Sequence, residues 1–487
     1  MREVNESPSA VVAISMSDTH RVTLNESRSF AALSGDFNVQ HLDPVRARRL
    51  LFGSSVIHGI HSVLLALDSV MADFAAGGRT LRSIKVIFSA PAPTGSNLGF
   101  IHDVGPGGAT VIQAKLDSRT VVTVDIVWSP ENAVAARPEI PDELFAAAQP
   151  VTRTINDVDG YKAQVALKAE RATLRRLFPN VAAKLPIDQV AVLLATTRIV
   201  GMECPGSNSI LAAFDIEFKS PQDSTPLLNY AVTRIRPALN ICALTISGAG
   251  VQGEINAMFR PPVIEQPGML KVQARVPRGS FAGQRALIVG GSRGLGELTA
   301  KIIAAGDGEA AITYARGRDD AERVVEDICY CGGTAWFFEL DVTKDDIAAL
   351  AQIESPITHL YYFASPRIVP SRTEAFEQDS FMSYRRYYVD GLESLLLRLL
   401  AERKSPLTLF NPSTIYIDRT DARFAEYAAA KAESEKLCVD VQNRAQGMLR
   451  VFMPRLPRLR TDQTVGIRDE DMPDALETLF AVLPKTA

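Results

Sequence analysis

The chain has little of what marks disulfide-linked, membrane or nucleic-acid-binding proteins. It has five cysteines among 487 residues, an odd and scattered set that argues against a disulfide framework. No apolar run approaches the roughly 18 to 20 residues that a bilayer span requires, and the polar N-terminus lacks the apolar centre of a signal peptide. The net charge of −4 gives no support for nucleic-acid binding. We therefore expect a cytoplasmic protein without nucleic-acid or membrane partners.

Residues that bind metals are also scarce. Cys329 and Cys331 are separated by one residue, and no second cysteine pair accompanies them, so we expect no metal site. The chain has six histidines, and none of them lies between residues 151 and 263. Chemistry that needs an imidazole is therefore expected outside that region.

Length and composition are those of a multidomain globular protein. The chain is too long for one hydrophobic core, and its 46% hydrophobic and 22% charged residues are ordinary. The first ten residues are predicted to be disordered. Residues 11 to about 130 combine an apolar helix with alternating strands, and a polar stretch separates them from a region that repeats this plan. Repetition indicates an internal duplication, although an unrelated α+β domain stays open. The predicted helices are 59–74 and 187–200, and the predicted strands are 81–88, 109–116, 120–128, 210–218, 229–236, 241–247 and 253–259.

From about residue 284 the pattern changes to strands that alternate with helices. Six such strands begin with RALIVG at residue 285, which predicts a doubly wound parallel sheet. The expected organisation is an α+β unit at 1–135, a second at 151–263, a linker at 264–283 and an α/β domain at 284–487.

The motif SGDFNVQHLDP (34–44) places a carboxylate, Asp36, five residues before an imidazole, His41. Adding water to an enoyl thioester, or eliminating it, needs groups that move protons at two carbons and a donor for the thioester oxygen. Asp36 and His41 are suited to the proton transfers. The amide of Gly59, at the start of the first apolar helix, is suited to the oxygen, because a helix N-terminus favours negative charge.

The wider pattern F-x-x-L-S-G-D-x-N-x-x-H-x-D-P, followed by His-Gly and a long apolar helix, closely resembles the MaoC-like (R)-specific enoyl thioester hydratases of the hotdog fold. The resemblance covers about the first 130 residues. It implies Asp36 and His41 as the catalytic pair, Asn38 as a local orienter and the Gly59 amide at the thioester oxygen. Val39 stands where these proteins usually have proline.

The second unit has no histidine and so cannot carry the same chemistry. A double hotdog, with one active half and one degenerate half that shapes the acyl tunnel, accounts for this asymmetry. It resembles the two-unit hydratases of eukaryotic peroxisomes, with the active half placed first. Residues 200–207 are predicted to form a structural turn that secondarily lines the tunnel, and His58 and His61 are expected to be structural neighbours of the site.

A second motif, ALIVGGSRGLG (286–296), follows a predicted strand and opens a predicted helix. Gly290, Gly294 and Gly296 stand where a tight turn, close phosphate approach and strand–helix packing leave no room for a side chain. Farther along, Tyr427 and Lys431 lie one helical turn apart. This combination predicts a nicotinamide site with a Tyr-Lys pair.

With Ser413 and Thr414 after the fifth strand, these features strongly resemble a short-chain dehydrogenase/reductase. The resemblance implies that Tyr427 exchanges a proton with the ketone or alcohol. It also implies that Lys431 lowers the pKa of Tyr427 and binds the nicotinamide ribose. Ser413 has the usual identity for the residue that holds the substrate oxygen, and Thr414 has the usual spacing; we favour Ser413 and leave Thr414 open.

The charge after the second strand indicates which nicotinamide cofactor binds. NAD sites usually place an acidic residue there, whereas this chain has Arg316, and Arg293 lies in the glycine turn. Two guanidinium groups favour the additional phosphate of NADP, although two solvated arginines stay open as an alternative. We therefore predict NADP(H). The predicted cofactor-binding residues are Gly290, Ser292, Arg293, Gly294, Leu295, Gly296, Arg316, Asp341, Val342, Tyr427 and Lys431.

Three features depart from this second family. Phe-Ala-Ser at 363–365 replaces the usual Asn-Ala-Gly, and Asp390 replaces a helix asparagine, so the usual proton relay behind Lys431 is altered. The customary seventh strand and its dimer contacts are not evident before residue 487. Residues 453–464, MPRLPRLRTDQT, replace the usual Pro-Gly substrate loop, and their arginines suit an acidic carrier, CoA phosphates or solvent equally.

The two resemblances together imply a bifunctional acyl thioester enzyme of fatty acid or polyketide-like metabolism. One activity is an (R)-3-hydroxyacyl dehydratase/trans-2-enoyl hydratase, and the other is an NADPH-dependent 3-oxoacyl thioester reductase. The expected partners are acyl-CoA or acyl carrier protein thioesters, and we expect a homodimer. Two alternatives stay open: a hydratase or dehydratase with an inactive reductase-like domain, and a scaffold that binds an acyl carrier protein.

Overall fold

The computed structural model of the chain contains two compact units, Met1–Pro262 and Val263–Ala487. It describes residues 19–73, 79–105, 109–129, 137–219, 225–344, 350, 356–371, 375–401, 403–419, 421–465 and 472–485. The first ten residues, predicted to be disordered, lie outside this set. No helix in the described ranges combines the length and the apolar character needed to cross a membrane.

The first unit is built on one antiparallel sheet, which has ten strands in the described residues. The strands are β1 (His20–Arg21), β2 (Thr80–Phe88), β3 (Asn97–Val104), β4 (Thr110–Leu116), β5 (Arg119–Ser129), β6 (Lys162–Ala166), β7 (Ser209–Phe218), β8 (Leu227–Arg236), β9 (Ile241–Gly248) and β10 (Val251–Phe259). Their order is β1-β3-β4-β5-β2-β7-β10-β9-β8-β6. Strands β1 to β5 and β6 to β10 therefore follow the same order, and the two halves join where β2 pairs with β7.

Two long buried helices lie against this sheet, α4 in the first half and α7 in the second. The helices of the unit are α1 (Leu24–Ser34), α2 (Val39–Leu42), α3 (Pro44–Ala47), α4 (Gly59–Ala72), α5 (Arg171–Leu177), α6 (Pro179–Lys184) and α7 (Ile187–Arg198). A π-helical turn, Ile199–Glu203, continues α7. Phe74, the predicted end of the first helix, lies outside the described residues.

One hydrophobic core runs through both halves of the first unit. In β2, Ile84 and Val86 are fully buried while Lys85 between them is exposed, the alternation expected of a sheet covered on one face. These residues share a core with Leu64 of α4 and Leu193 of α7. The two repeated units therefore form a single folded body rather than two separate ones.

The second unit confirms the predicted doubly wound parallel sheet. Its strands are β11 (Arg285–Val289), β12 (Glu309–Tyr314), β13 (Thr334–Glu339), β14 (His359–Tyr362), β15 (Leu407–Phe410), β16 (Ser413–Thr414), β17 (Leu449–Phe452) and β18 (Arg455–Leu456). The sheet order is β13-β12-β11-β14-β15-β17, and β16 pairs separately with β18. Alternate residues of β11 face two different cores, with Ile288 in one and Leu287 in the other.

Helices cover both faces of this sheet. They are α8 (Met269–Gln273), α9 (Gly294–Ala305), α10 (Arg318–Tyr330), α11 (Gln378–Arg385), α12 (Gly391–Ala401), α13 (Ala425–Arg444) and α14 (Ala475–Val482). The predicted linker at 264–283 contains α8 and is not a free connection, because Met269, Val272 and Phe281 are buried in the core of the second unit. Within the described residues this sheet has no seventh strand.

Candidate active sites

A left-handed glycine directs Asp36 into the interior of the first unit. α1 begins with a capping box, in which the Glu26 amide donates to the Thr23 hydroxyl (3.2 Å) and the Thr23 amide to the Glu26 carboxylate (2.7 Å). The helix ends at Gly35, with φ of 77°. A Cβ on Gly35 would lie 2.8 Å from the Phe145 ring. Glycine is therefore required immediately before Asp36, because φ is positive there and because a side chain would collide with Phe145.

The Asp36 carboxylate is only 1% exposed and is held at both oxygens. The Thr197 hydroxyl donates to Oδ2 at 2.7 Å, and the Asn38 amide donates to Oδ1 at 3.1 Å. The Asn38 side chain donates in turn to the carbonyl oxygens of Gly201 and Ser207, at 3.1 and 3.2 Å. Since Thr197, Gly201 and Ser207 belong to the second half, that half holds the loop that carries Asp36.

His41 lies beside Asp36, as the sequence predicts. Its Nδ1 is 2.8 Å from the carbonyl oxygen of Val56. A carbonyl can only accept, so Nδ1 carries the proton and Nε2 of the neutral ring has a free lone pair. Asp36, His41 and His58 each have one side-chain oxygen or nitrogen atom that could bind a metal ion, and these three atoms all lie within 4.8 Å of one another. A metal ion would fit a cluster of this size, and the absence of a metal stays a prediction.

His58 and His61 support the site from behind. The His58 ring stacks on His41 with centroids 3.9 Å apart, and its Nε2 donates to the main-chain oxygen of Asp36 at 3.0 Å. His61 stacks on Phe30 at 4.7 Å, and burial lowers the pKa of His61 to about 3. These contacts agree with the structural roles predicted for both histidines.

Burial moves the pKa values of the catalytic pair toward each other. It raises the pKa of Asp36 above the ordinary 3.8 and lowers the pKa of His41 below the ordinary 6.5. The charge of each partner opposes the shift of the other, and the charge of Arg260 further lowers the pKa of His41. Burial thus favours the uncharged form of each group, a carboxylic acid at Asp36 and a neutral imidazole at His41.

Gly59 is the first residue of α4, as predicted. A Cβ there would lie 2.7 Å from the Phe88 ring, so the packing of Phe88 excludes a side chain. The first amides of a helix have no acceptor within it. Gly59 is therefore placed as the predicted donor requires.

The glycine turn of the second unit joins β11 to α9. Gly290 and Gly294 have φ of 77° and 60°. A Cβ on Gly296 would lie 2.3 Å from the carbonyl oxygen of Gly290, so any side chain there would push the helix away from the turn. The arrangement leaves the N-terminus of α9 open to a phosphate, the ligand such a terminus favours.

The predicted cofactor residues other than the glycines and the Tyr-Lys pair follow strands β11, β12 and β13. Arg293, immediately before α9, has an ion pair with Asp462 at 3.4 Å, and Arg316 after β12 is exposed. Asp341 accepts a 2.7 Å hydrogen bond from the Thr343 hydroxyl. Buried Ser292, partly buried Leu295 and Val342, which packs against Gly391, complete the set.

Tyr427 lies in an aromatic pocket. The rings of Tyr384, Tyr388 and Tyr416 surround it, with centroid distances of 5.8, 5.8 and 6.3 Å. Burial raises the pKa of Tyr427 to about 12, and a hydrogen bond with the Thr414 side chain only partly opposes this shift. Tyr427 is therefore a phenol at neutral pH.

The geometry favours Thr414 over Ser413 as the neighbour of Tyr427. The Ser413 hydroxyl is buried and has no hydrogen-bond partner among the described residues, although it lowers the pKa of the nearby Glu435 carboxyl. Thr414 therefore contacts Tyr427, while Ser413, turned to the other face of this two-residue strand, stays the alternative.

Lys431 does not act on Tyr427 here as the resemblance implies. Its ammonium donates to the carbonyl oxygen of Pro412 at 2.8 Å and lies 4.1 Å above the Tyr388 ring. Burial lowers the pKa of Lys431 to about 8. The expected lowering of the Tyr427 pKa is therefore wrong for this arrangement: desolvation raises that pKa, and the ammonium is turned toward other groups.

The altered relay position faces away from Lys431. Asp390 ends the π-helical turn Arg386–Asp390 and pairs with Arg385 at the surface, at 2.5 Å. Tyr388, whose ring lies under Lys431, has a 2.6 Å hydrogen bond with Ser365. Lys431 therefore packs on Tyr388, whose hydroxyl is hydrogen-bonded to Ser365.

Comparison with known families assigns the two regions. Residues 5–122 match the family model described as MaoC like domain, and residues 284–360 match the model described as short chain dehydrogenase. The chain carries a MaoC-like domain and a short-chain dehydrogenase domain. The match to the short-chain dehydrogenase model ends before Tyr427 and Lys431.

Individual relatives also match only parts of the chain. A curated protein named probable dehydratase NIT22, from Ajellomyces capsulatus, is 31% identical over 77 residues, which are 16% of this chain and 20% of that protein. The matched region thus spans about a fifth of the length of that relative. A short-chain dehydrogenase from Burkholderia cenocepacia in complex with NADP is 20% identical, with a TM-score of 0.38 over 42% of this chain and 92% of its own. A 3-oxoacyl (acyl-carrier-protein) reductase from Agrobacterium tumefaciens with NADP is 19% identical, with a TM-score of 0.37 over 42% and 87%.

The residues that sequence reasoning missed in the MaoC-like site come from outside the matched region. Thr197 lies in an apolar helix without any motif, and Gly201 lies in a segment interpreted as a structural turn. A Cβ on Gly201 would lie 2.4 Å from Oδ1 of Asp36. The only sequence signal was the glycine itself, placed directly after a long apolar helix.

Proposed function

We propose that the chain is a bifunctional acyl thioester enzyme. The MaoC-like domain would interconvert trans-2-enoyl and (R)-3-hydroxyacyl thioesters, and the short-chain dehydrogenase domain would reduce 3-oxoacyl thioesters with NADPH. The observation that carries the proposal is the buried Asp36 carboxylate, held by Thr197 beside the free Nε2 of His41. CoA or an acyl carrier protein would carry the acyl group, in fatty acid or polyketide-like metabolism.

The proposal includes a double hotdog for the first unit. Its two halves repeat one strand order, and each has one long buried helix. Because residues 151–263 contain no histidine, the chemistry would belong to the first half, while the second half orients Asp36 and borders the acyl chain.

During hydration, the Nε2 of neutral His41 accepts a proton from water as the water oxygen bonds to C3. Asp36, as the carboxylic acid, supplies the proton that C2 gains. The Gly59 amide donates to the thioester oxygen, on which negative charge develops. In dehydration Asp36 removes the C2 proton, and protonated His41 returns a proton to the departing hydroxyl. The raised pKa of Asp36 and the lowered pKa of His41 support these roles.

NADP(H) fits the short-chain dehydrogenase domain. The N-terminus of α9, after the glycine turn, would hold the pyrophosphate, and Arg293 and Arg316 would hold the additional phosphate. Bound NADPH would supply a hydride to a carbonyl carbon.

The chain's own residues would handle the proton. Tyr427 is suited to protonate the carbonyl oxygen, because its pKa of about 12 keeps it a phenol at neutral pH. Thr414, which contacts it, is placed to bind the same substrate oxygen, with Ser413 as the alternative. Lys431 would leave Pro412 to bind the nicotinamide ribose. NADPH as the reductant would favour the synthetic order from 3-oxoacyl to 3-hydroxyacyl to enoyl thioester.

Hydration of crotonyl-CoA tests the first activity. Asp36→Asn and His41→Ala are each expected to lower the rate at least about 100-fold, as expected when acid–base groups are lost. His102→Ala is the matched control, since His102 lies on β3 with Asp73 as its neighbour at 3.9 Å. Activity that survives both catalytic substitutions would contradict the proposal.

Reduction of acetoacetyl-CoA with NADPH tests the second activity. Tyr427→Phe is expected to lower the rate at least about 100-fold, because the proton donor is lost. Tyr330→Phe serves as control, because Tyr330 is 91% exposed. An unchanged rate in Tyr427→Phe would exclude Tyr427 as the proton donor.

A second candidate function is a hydratase or dehydratase whose reductase-like domain only binds nucleotide. The position of Lys431 on Pro412 and the outward Asp390 favour it. Mass spectrometry of 3-oxoacyl thioesters of several lengths, incubated with NADPH, decides between the two. Saturable NADPH binding without any hydroxy product would support this candidate, and successive hydroxy and enoyl products would reject it.

A further inference from the structure

A buried arginine with unused donors lies next to the MaoC-like site. Arg260 follows β10 and is only 4% exposed. Its amide donates to the carbonyl oxygen of Asn208 at 3.0 Å, and its Nη2 donates to the carbonyl oxygen of Ser207. Within the described part of the chain, Nε and Nη1 are buried and have no hydrogen-bond partner.

One carbonyl group joins this arginine to the catalytic loop. The Ser207 oxygen that accepts from Arg260 also accepts from Nδ2 of Asn38 at 3.2 Å, and the Asn38 amide holds Asp36. The charge of Arg260 also acts on His41, whose pKa it lowers. Arg260 is therefore close to the reacting groups and not at the outer surface of the unit.

Such an arginine is poorly suited to an aliphatic substrate. Burial lowers its pKa only to about 10, so it is charged at neutral pH. A buried cation with unused donors is unfavourable until an anion arrives, and a carboxylate supplies two acceptor oxygens for a guanidinium group. The phosphates of CoA or an acyl carrier are separated from the thioester by the pantetheine arm, whereas a carboxylate on the acyl group travels with the reacting carbons.

We propose that Arg260 binds a carboxylate on the acyl group, so that the MaoC-like domain acts on enoyl thioesters of dicarboxylic acids. This inference rests on the proposed hydratase function and names its substrate class. Arg260 would then be a residue of the second half that determines the substrate specificity of the active site in the first half.

The test compares two acyl groups of equal chain length on the full chain, trans-2-pentenoyl-CoA and trans-2-pentenedioyl-CoA. The wild type is expected to prefer the carboxylated ester at least about 30-fold in kcat/KM, and Arg260→Met to lose that preference, as when a buried charge pair is broken. The loss of kcat/KM on pentenoyl-CoA is expected to be at least about tenfold smaller than the loss on the carboxylated ester. Arg234→Met is the matched control, because Arg234 is exposed and pairs with Glu254 at 3.4 Å.

The other outcomes overturn the inference. Equal losses on both esters would show that Arg260 only supports the loop through Ser207. The N-acetylcysteamine thioesters of the same acyl groups carry no phosphate, so an effect seen only with CoA esters would assign the anion to the carrier.

Binding separates this inference from the proposed function. Calorimetry compares glutaryl-CoA with valeryl-CoA on the wild type and on Arg260→Met. If the chain hydrates neither ester, the hydratase proposal fails, yet tighter glutaryl-CoA binding that depends on Arg260 would still support the carboxylate site. Equal binding of both thioesters would overturn it.

Discussion

Thr197 is the residue on which the state of Asp36 most directly depends. It lies 161 positions farther along the chain and donates the 2.7 Å hydrogen bond to Oδ2. A hydrogen bond to a charged group contributes about 1.5 to 3 kcal/mol. The ability of Asp36 to hold and release a proton is therefore set in part by helix α7 of the second half.

We expect Thr197→Val to lower the hydration rate of crotonyl-CoA about 10- to 100-fold, because Asp36 loses an oriented donor of that strength. Steady-state kinetics of the full chain measure the effect. Thr197→Ser keeps the hydroxyl and is expected to retain most of the activity. A valine variant with wild-type kinetics would show that the Asn38 amide alone holds Asp36.

The lowered pKa of Lys431 leads to a pH prediction for the other domain. Because that pKa falls from 10.5 to about 8, the lysine is an ammonium below pH 8 and neutral above it. If the ammonium binds the nicotinamide ribose, the KM for NADPH rises as the pH passes about 8, while Tyr427 remains a phenol. A pH series measures this, and Lys431→Arg is expected to abolish the break, since arginine keeps its charge. A flat KM from pH 6 to 10 in the wild type would contradict the prediction.

Among the helices and strands, the π-helical turn Ile199–Glu203 lies directly against the Asp36 carboxylate. It continues α7 and places Gly201 so close to Asp36 that no side chain fits between them. π-Helical turns are often found at functional sites. The turn thus shapes the site although none of its side chains takes part in the proposed proton transfers.

Gly201→Ala is expected to reduce hydratase activity at least about 100-fold, since the new methyl group would displace the carboxylate from its acid–base position, while acetoacetyl-CoA reduction stays unchanged. Parallel assays of both activities in one preparation provide the measurement. Gly105→Ala is a suitable comparison, because the nearest described atom to a Cβ there is the Ala109 carbonyl oxygen, at 3.7 Å. Equal effects in the two variants would show that the glycine at 201 has no special role.

Local patterns explain which elements the sequence predicted well. α4 and β2 have continuous apolar periodicity, and their predicted bounds lie within a few residues of the observed ones. The six strands of the parallel sheet were predicted from their regular alternation with helices. β3 was missed because Gly99, His102 and Asp103 interrupt its alternation, and β6 because it is short and mostly exposed. The contacts from Thr197 and Gly201 to Asp36 depend on the pairing of β2 with β7, and no local pattern records such a pairing.

At the scale of the whole molecule, each unit has cores of its own. We therefore expect residues 1–262 and 263–487, expressed separately, to retain the hydratase and the reductase activity respectively. Residues 1–150 alone are expected to be inactive, since they lack Thr197 and expose the edge of β2 that pairs with β7. Circular dichroism and the two assays test all three fragments. Hydration by the 1–150 fragment would refute the dependence of the site on the second half.

The hydrogen bonds that the second half makes to the Asp36 loop have a consequence for how the chain evolved. If the two halves descend from one duplicated gene, the second copy was free to lose its histidine only while the first kept the reaction. Once Thr197 and Gly201 had come to hold Asp36, deletion of the silent copy would have destroyed the active one. The second copy would then have lost catalysis but become indispensable as the support of Asp36, so the change could not be reversed by deletion. Ancestral reconstruction should recover a symmetric dimer with an Asp-His pair in both halves.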